Sequence, residues 1–180
     1  MVQLNTNDML LPDYIDYDLD ILSVGLNPSI PSAKLGYYFA NPRNRFWKAF
    51  GQAKIVEYEL ILDASVHTRL LKDDAIGFTD VVKRASRMGN ELRAADFSRD
   101  VPELREKIEH YRPAIIWFHG KIAISKFMHY GFGVKQSWQW GLNDIDCINA
   151  KVYVTPNPSP ANATYSLEEL VKWYQNLKSL

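Results

Sequence analysis

Four residues of this 180-residue chain combine reactive chemistry with a telling position: Asn27 in "VGLNPS", Asp80 in "GFTDVVKR", His119 in "WFHGK" and Asn157 in "TPNPSPA". The carboxamide of Asn27 can hold a water molecule by hydrogen bonding, although it is no useful base at neutral pH. Beside Pro28 it can equally be a turn residue that ends a strand. A carboxylate at Asp80 can accept a proton from a water that an amide merely holds, and such general-base help contributes about 10²–10⁴-fold. It can also cap a helix or pair with Lys83 or Arg84 one helical turn away. His119 invites assignment as an imidazole that steadies a departing anion. The loop after Asn27 is dense in Pro, Asn and rings, and Phe39 lies outside any periodic segment, where a ring can stack on a flat ligand or pack against the helix that follows.

These residues need elements to hold them. "DILSVG" (20–25) reads as a buried strand ending at a glycine, "AIIWFHG" (114–120) as a strand buried on both faces, and "KVYVTPNPSP" as a strand running into a proline-rich turn. "RFWKAF" from Arg45 opens an amphipathic helix through Phe46, Trp47 and Phe50. A second helical stretch spans Val66 to Lys72, with Gly77 marking a turn after it. Ser86 to Asp100 reads as a long exposed loop and Val101 to Tyr111 as a surface helix with proline near its start. "KIAISKFMHY" is a further helix, and "SLEELVKWYQNLKSL" closes the chain with Ser166 as cap and Glu169 in the capping-box place. Strands alternating with helices over one domain, 1–180, predict an α/β fold with a mostly parallel sheet. In such sheets ligands sit beyond the carboxyl ends of the strands, so Asn27, His119 and Asn157 are expected on one rim.

Composition narrows the chemistry. Lys plus Arg and Asp plus Glu both total 21, so net charge carries no nucleic-acid signal, and contact with a polyanion must be local. Apolar residues are 47% and charged residues 23%, an ordinary globular balance without an apolar run long enough to span a membrane. The opening stretch "MVQLNTNDMLLPDYIDYD" shows no basic run followed by an apolar one, so no signal peptide is read and a cytoplasmic location is expected. A lone Cys147 and four scattered histidines offer neither a disulfide nor metal-ligand spacing, and no metal is expected. A nucleotide-binding, flavodoxin-like domain is the alternative, but the glycine-rich phosphate loop and the acidic residue at dinucleotide spacing are missing.

The stretch "GLNPSIPSAKLGYYFANPRNRFWK" resembles the first motif of the mismatch-specific uracil-DNA and thymine-DNA glycosylases, within the uracil-DNA glycosylase superfamily. Gly25-Leu26-Asn27-Pro28, Ser32-Ala33, Gly36, Phe39-Ala40, Pro42 and Asn44-Arg45-Phe46-Trp47 carry the match. "GFTDVVKR" resembles the next block and "TPNPSPA" the second active-site loop. The resemblance implies a three-layer α/β/α domain, without cofactor, that flips uracil or another damaged or mismatched base out of DNA and hydrolyses its N-glycosidic bond in base excision repair, leaving an abasic site. It implies action on DNA at the nucleoid, with Asn27 positioning water, Phe39 stacking on the base, and backbone groups around Leu26 and Phe39 reading the uracil edge; a monomer is the default expectation. Ser29, glycine in some relatives, narrows the pocket beside Asn27. Asp80 departs from the lysine or asparagine of relatives. Ser32, Ser159 and Asn157 suit phosphates without a basic surface, while Asn157 can instead contact the water or the base, or simply hold a turn between Pro156 and Pro158. Where relatives insert a bulky wedge into the base stack, this chain has Pro160, Ala161 and Asn162. A small wedge predicts weak reading of the opposite base and activity on single strands as well as duplexes. The histidine that some relatives use for catalysis belongs to the second loop, where Asn157 stands, so His119 is expected to be structural or a phosphate neighbour. Trp138 and Trp140 are expected to pack loops, and Lys83, Arg84, Arg87 and Arg93 to form a largely solvated basic face.

Overall fold

The computed structural model describes residues 10–180. Residues 1–9, half of the stretch that lacks a leader pattern, lie outside the described residues. Five strands form one sheet: β1 (Ile21–Gly25), β2 (Ile76–Asp80), β3 (Ile115–His119), β4 (Gly141–Asn143) and β5 (Lys151–Thr155), ordered β2-β1-β3-β5-β4. All pair in parallel except the edge strand β4. Every residue of β1, β2 and β3 is buried, because helices cover both faces. The helices are α1 (Ile30–Leu35), α2 (Phe46–Gln52), α3 (Val66–Asp74), α4 (Ala94–Tyr111), α5 (Lys121–Phe132) and α6 (Leu167–Lys178).

Strand side chains alternate between the faces and so build two cores. Leu22, Val24, Ile116, Phe118, Val152 and Val154 pack with Phe97, Val101, Leu104 and Phe127 of α4 and α5. Ile21, Phe78, Trp117 and Tyr153 pack with Phe46, Phe50, Leu70 and Tyr174 of α2, α3 and α6. The result is the three-layer α/β/α arrangement. On the α2/α6 face the last residues of neighbouring strands fall side by side. Gly25 is in register with Asp80 and His119 with Thr155, while Val24 opposite Phe118 sets Gly25 next to His119. This row is the floor beneath the loops that follow β1 and β5.

Three sequence expectations change. Gly77 is no turn residue; it lies inside β2, where a Cβ would meet the Tyr14 carbonyl at 2.5 Å and Leu19 at 2.7 Å. The glycine admits residues 14–19 against the strand, and the turn falls two residues earlier, at Ala75 in the left-handed region (φ 53°). The supposed exposed loop from Ser86 to Asp100 runs into α4, which begins at Ala94 and carries Pro102 within it. Phe97, Val101, Leu104 and Ile108 give that helix one continuous buried face, which outweighs the amide lost at Pro102. The acidic residues that read as loop are anchors: Asp96 takes Arg84, and Asp100 takes the Lys83 amide and Arg99. Short β4 and α1 escape the sequence reading because neither is long enough to show a period. The capping box at Ser166 and Glu169 forms as expected.

Candidate active site

Asn27 lies two residues past the end of β1, and its amide nitrogen is fully engaged. Nδ2 donates to the Arg84 carbonyl (3.0 Å), the Ser86 hydroxyl (2.7 Å) and, at 3.2 Å, the Pro28 carbonyl. Two carbonyls in this shell demand a donor, so the nitrogen must face them and the carboxamide oxygen must face away. The shell is itself anchored. Arg84 grips Asp96 at the start of α4 through two bonds of 3.0 and 2.8 Å, and the Ser86 amide donates to the Pro28 carbonyl. The Arg84 guanidinium, the largest influence on Asp96, holds that carboxyl down at about 2. Asn27 is thus a turn residue and also a fixed acceptor.

Around α1 the small hydroxyls are turned inward. Ser29 caps the helix, accepting from the Ser32 amide, and its hydroxyl meets that of Ser32 at 2.9 Å. Ser32 is 2% exposed, and its hydroxyl accepts from the Ala40 amide at 3.1 Å. Its expected place against a phosphate gives way to a grip on the backbone beside Phe39. Phe39 has φ 56°, a conformation that costs a bulky residue of order 1–3 kcal/mol and survives where its surroundings impose it. Three contacts impose it: Ser32 on Ala40, the Trp47 indole donating to the Tyr38 carbonyl, and the Tyr38 amide donating to His67 at 2.7 Å. Tyr38 is buried, which leaves Phe39 to lie on Phe46 with ring centroids 4.0 Å apart and planes within 17°. Leu26 is half-buried, its carbonyl accepting from Val82 and its side chain lying against Gly89.

Asp80 ends β2 and is 3% exposed. A Cβ on Gly25 would come within 2.2 Å of its Oδ1, so the carboxyl occupies the space that the missing side chain leaves. Its Oδ2 is buried without a partner. The bland alternatives fail: Asp80 terminates a strand and caps no helix, Arg84 pairs with Asp96, and Lys83 spends its ammonium on Asp13, Thr79 and the Asp80 backbone carbonyl. Burial is the main force holding this carboxyl well above the ordinary carboxylate range; Lys83 opposes it and Asp13 adds to it. An unpaired buried carboxyl in register with Gly25, two residues before the fixed acceptor Asn27, is a site feature with no structural return of its own.

His119 is buried, with Nε2 2.8 Å from the Ser23 hydroxyl and its ring edge-on to Phe39. Burial drives its pKa down to about 3, so the imidazole is neutral at physiological pH. It lies beneath the site as packing. Trp138 is core, whereas Trp140 meets Lys121 and Tyr165 beside the second loop. Of the basic group, Lys83 and Arg84 are paired internally and Arg87 and Arg93 are exposed.

In the second loop, Asn157 accepts the Ser159 amide on Oδ1 (2.9 Å), while Asn162 donates its side chain to the Asn157 carbonyl (3.0 Å) and its amide to the Ser159 carbonyl. Asn162 is therefore folded into the loop, and Pro160 and Ala161 form its exposed tip. Sequence reasoning passed over Ser86, Asp13 and the hydrogen bonds of Arg45 to the second loop. The sequence marked Arg45 as the opening of a helix and as part of the "NRFW" match, and Ser86 and Asp13 carry no local signal.

Residues 12–178 match the uracil DNA glycosylase superfamily. The chain belongs to that superfamily. Its members are DNA glycosylases, hydrolases that act on DNA, and membership decides against the flavodoxin-like alternative. A solution NMR structure of a Methanosarcina acetivorans protein, provisionally described as a uracil DNA glycosylase, shares the fold with a TM-score of 0.56. It is 23% identical, and the match covers 94% of this chain and 97% of that one. Among the described residues no helix is long and apolar enough to cross a membrane.

Proposed function

We propose that this glycosylase is of the mismatch-specific uracil-DNA and thymine-DNA type: a monofunctional enzyme that flips uracil from DNA and hydrolyses its glycosidic bond with water. The observation that carries this reading is the fixed Asn27 amide, whose nitrogen is consumed by Arg84 and Ser86 and whose oxygen is left to accept from a water. The flipped base stacks on Phe39, backed by Phe46, with backbone groups near Leu26 and Phe39 reading its edge and Ser29 bounding the pocket. Water held by Asn27 attacks C1′ and its proton passes to Asp80. The C1′–N1 bond breaks with its electron pair leaving on the uracil anion, and the product is an abasic site. Only ionised Asp80 can accept that proton, so the rate climbs with pH until the carboxyl is fully ionised.

Asn157 and Ser159 lie in the DNA-facing second loop. Its tip of Pro160 and Ala161 fills an emptied stack poorly, so uracil opposite G, opposite A and unpaired should all be cleaved. The enzyme acts as a monomer on cellular DNA at the nucleoid. Single-turnover cleavage of oligonucleotides carrying one uracil in these three contexts tests the reading, with Asn27→Ala alongside. Cleavage confined to G·U duplexes would overturn the weak-wedge inference, and no cleavage in any context would overturn the uracil assignment.

A further inference from the structure

Arg45 stands at the entry of α2, immediately before the Phe46 ring that backs Phe39. Its guanidinium reaches across to the second loop and donates to four main-chain carbonyls there. Nε donates to Pro158 (3.4 Å), Nη1 to Tyr165, and Nη2 to Ser159 (3.1 Å) and Asn162 (2.6 Å). The Arg45 backbone amide adds a second bond to the Pro158 carbonyl at 3.1 Å. Four of the five guanidinium protons are thus aimed at one eight-residue stretch, whose other hydrogen bonds are short turn bonds among Asn157, Ser159, Ala161 and Asn162. A planar fork can meet several carbonyls at once, whereas an ammonium is a compact point donor that cannot span them. Among the described residues no carboxylate pairs with Arg45, so its positive charge stays uncompensated beneath the loop.

Building on the glycosylase reading above, we propose that Arg45 is a positioning residue that presets the second loop to receive the phosphodiester strand. Through Phe46 it ties that loop to the ring platform for the base. Two consecutive residues at one helix entry thereby link strand binding to base stacking. Asn27 and Asp80 hang from β1 and β2 and share no hydrogen bond with this loop, so the loop bears on capture of the strand and not on attack at C1′.

The test compares the wild type with Arg45→Lys, which keeps the charge and loses the fork, and Arg45→Gln, which loses both. Affinity is measured on a duplex with one non-hydrolysable 2′-fluorinated uracil nucleotide, and single-turnover cleavage on the ordinary uracil duplex at saturating enzyme. Both variants should bind about tenfold or more weakly while the saturated rate changes less than about threefold, a split that general destabilisation does not produce. Circular dichroism checks the fold, and if Arg45→Gln does not fold, Arg45→Lys carries the test alone. Lysine binding as tightly as arginine would overturn the proposal, as would loss confined to the saturated rate. A wild type that cleaves while Arg45→Lys matches it sinks only this proposal; a wild type that neither binds nor cleaves uracil DNA sinks the glycosylase reading and this one with it.

Discussion

Replacing Asp80 by asparagine preserves its volume and removes its ionisable proton, and the two consequences run in opposite directions. The carboxyl is 3% exposed, its Oδ2 has no partner, and its Oδ1 fills the space over Gly25. Asparagine fits the same space without charge. Loss of the general base should slow single-turnover cleavage by about 10²–10⁴-fold. Stability should rise where the wild-type carboxyl would ionise, because asparagine leaves an equally unpaired polar group but no buried charge, and a buried charge costs more than the about 1–3 kcal/mol of a neutral unsatisfied group. For a chain of this size each kcal/mol moves the Tm by about 2–4 °C. The sign follows from linkage. Burial raises the Asp80 pKa, so the native state keeps a proton that the unfolded chain releases above the ordinary value of 3.8. Stability from that proton is complete below 3.8 and is lost as pH rises through the folded pKa, so the advantage of asparagine grows over the same interval. Cleavage and thermal unfolding measured from pH 5 to pH 9 test both arms. Wild-type cleavage should climb with pH, and the residual rate of the variant should not. An Asp80→Asn protein that cleaves within threefold of wild type and keeps its pH dependence would refute the general-base argument. A less stable variant would show instead that the carboxyl serves the fold.

Ser86→Ala removes one of the three acceptors that orient Asn27 and should slow cleavage about two- to tenfold, the worth of one net hydrogen bond; an unchanged rate would show that Arg84 and Pro28 suffice. Asp13 and Lys83 act on Asp80 with opposite signs. Asp13→Asn should therefore shift the pH–rate limb toward acid and Lys83→Met toward alkali, and shifts in one common direction would contradict the electrostatic account. Phe39→Ala should weaken binding of a uracil duplex by about 1–3 kcal/mol through lost stacking, read by anisotropy, whereas unaltered affinity would assign the ring to loop packing alone. Burial lowers His67 and His119 to about 3, so the native state resists protonation that the unfolded chain accepts near 6.5. Stability should fall as pH drops from 6.5 toward 3, by up to about 1.4 kcal/mol per pH unit for each histidine, and a flat urea midpoint over that range would contradict their burial.

Much of the frame was legible without coordinates. An unbroken apolar run bounded by Pro and Gly marked β3 as a strand covered on both faces, "DILSVG" marked β1 as a buried strand ending at a glycine, and the alternation of strands with helices pointed to one rim for Asn27, His119 and Asn157. The strands do end together, although His119 turns under the rim into the aromatic core. Where local pattern misled, the cause was a partner distant in sequence. Gly77 looks like a turn until residues 14–19 press against it. Asp96 and Asp100 look like solvated loop residues until Arg84 and Lys83 fold back on them. Residue type by itself determined that Asn27 can only hold a water and that Asp80 can take its proton, since those capacities belong to the functional groups. Tertiary structure decided which way the Asn27 amide faces, which ring is presented and whether Asp80 is paired. Those outcomes depend on contacts such as Asn27 with Ser86, Ser32 with Ala40 and Gly25 with Asp80, which exist only once separate elements are brought side by side.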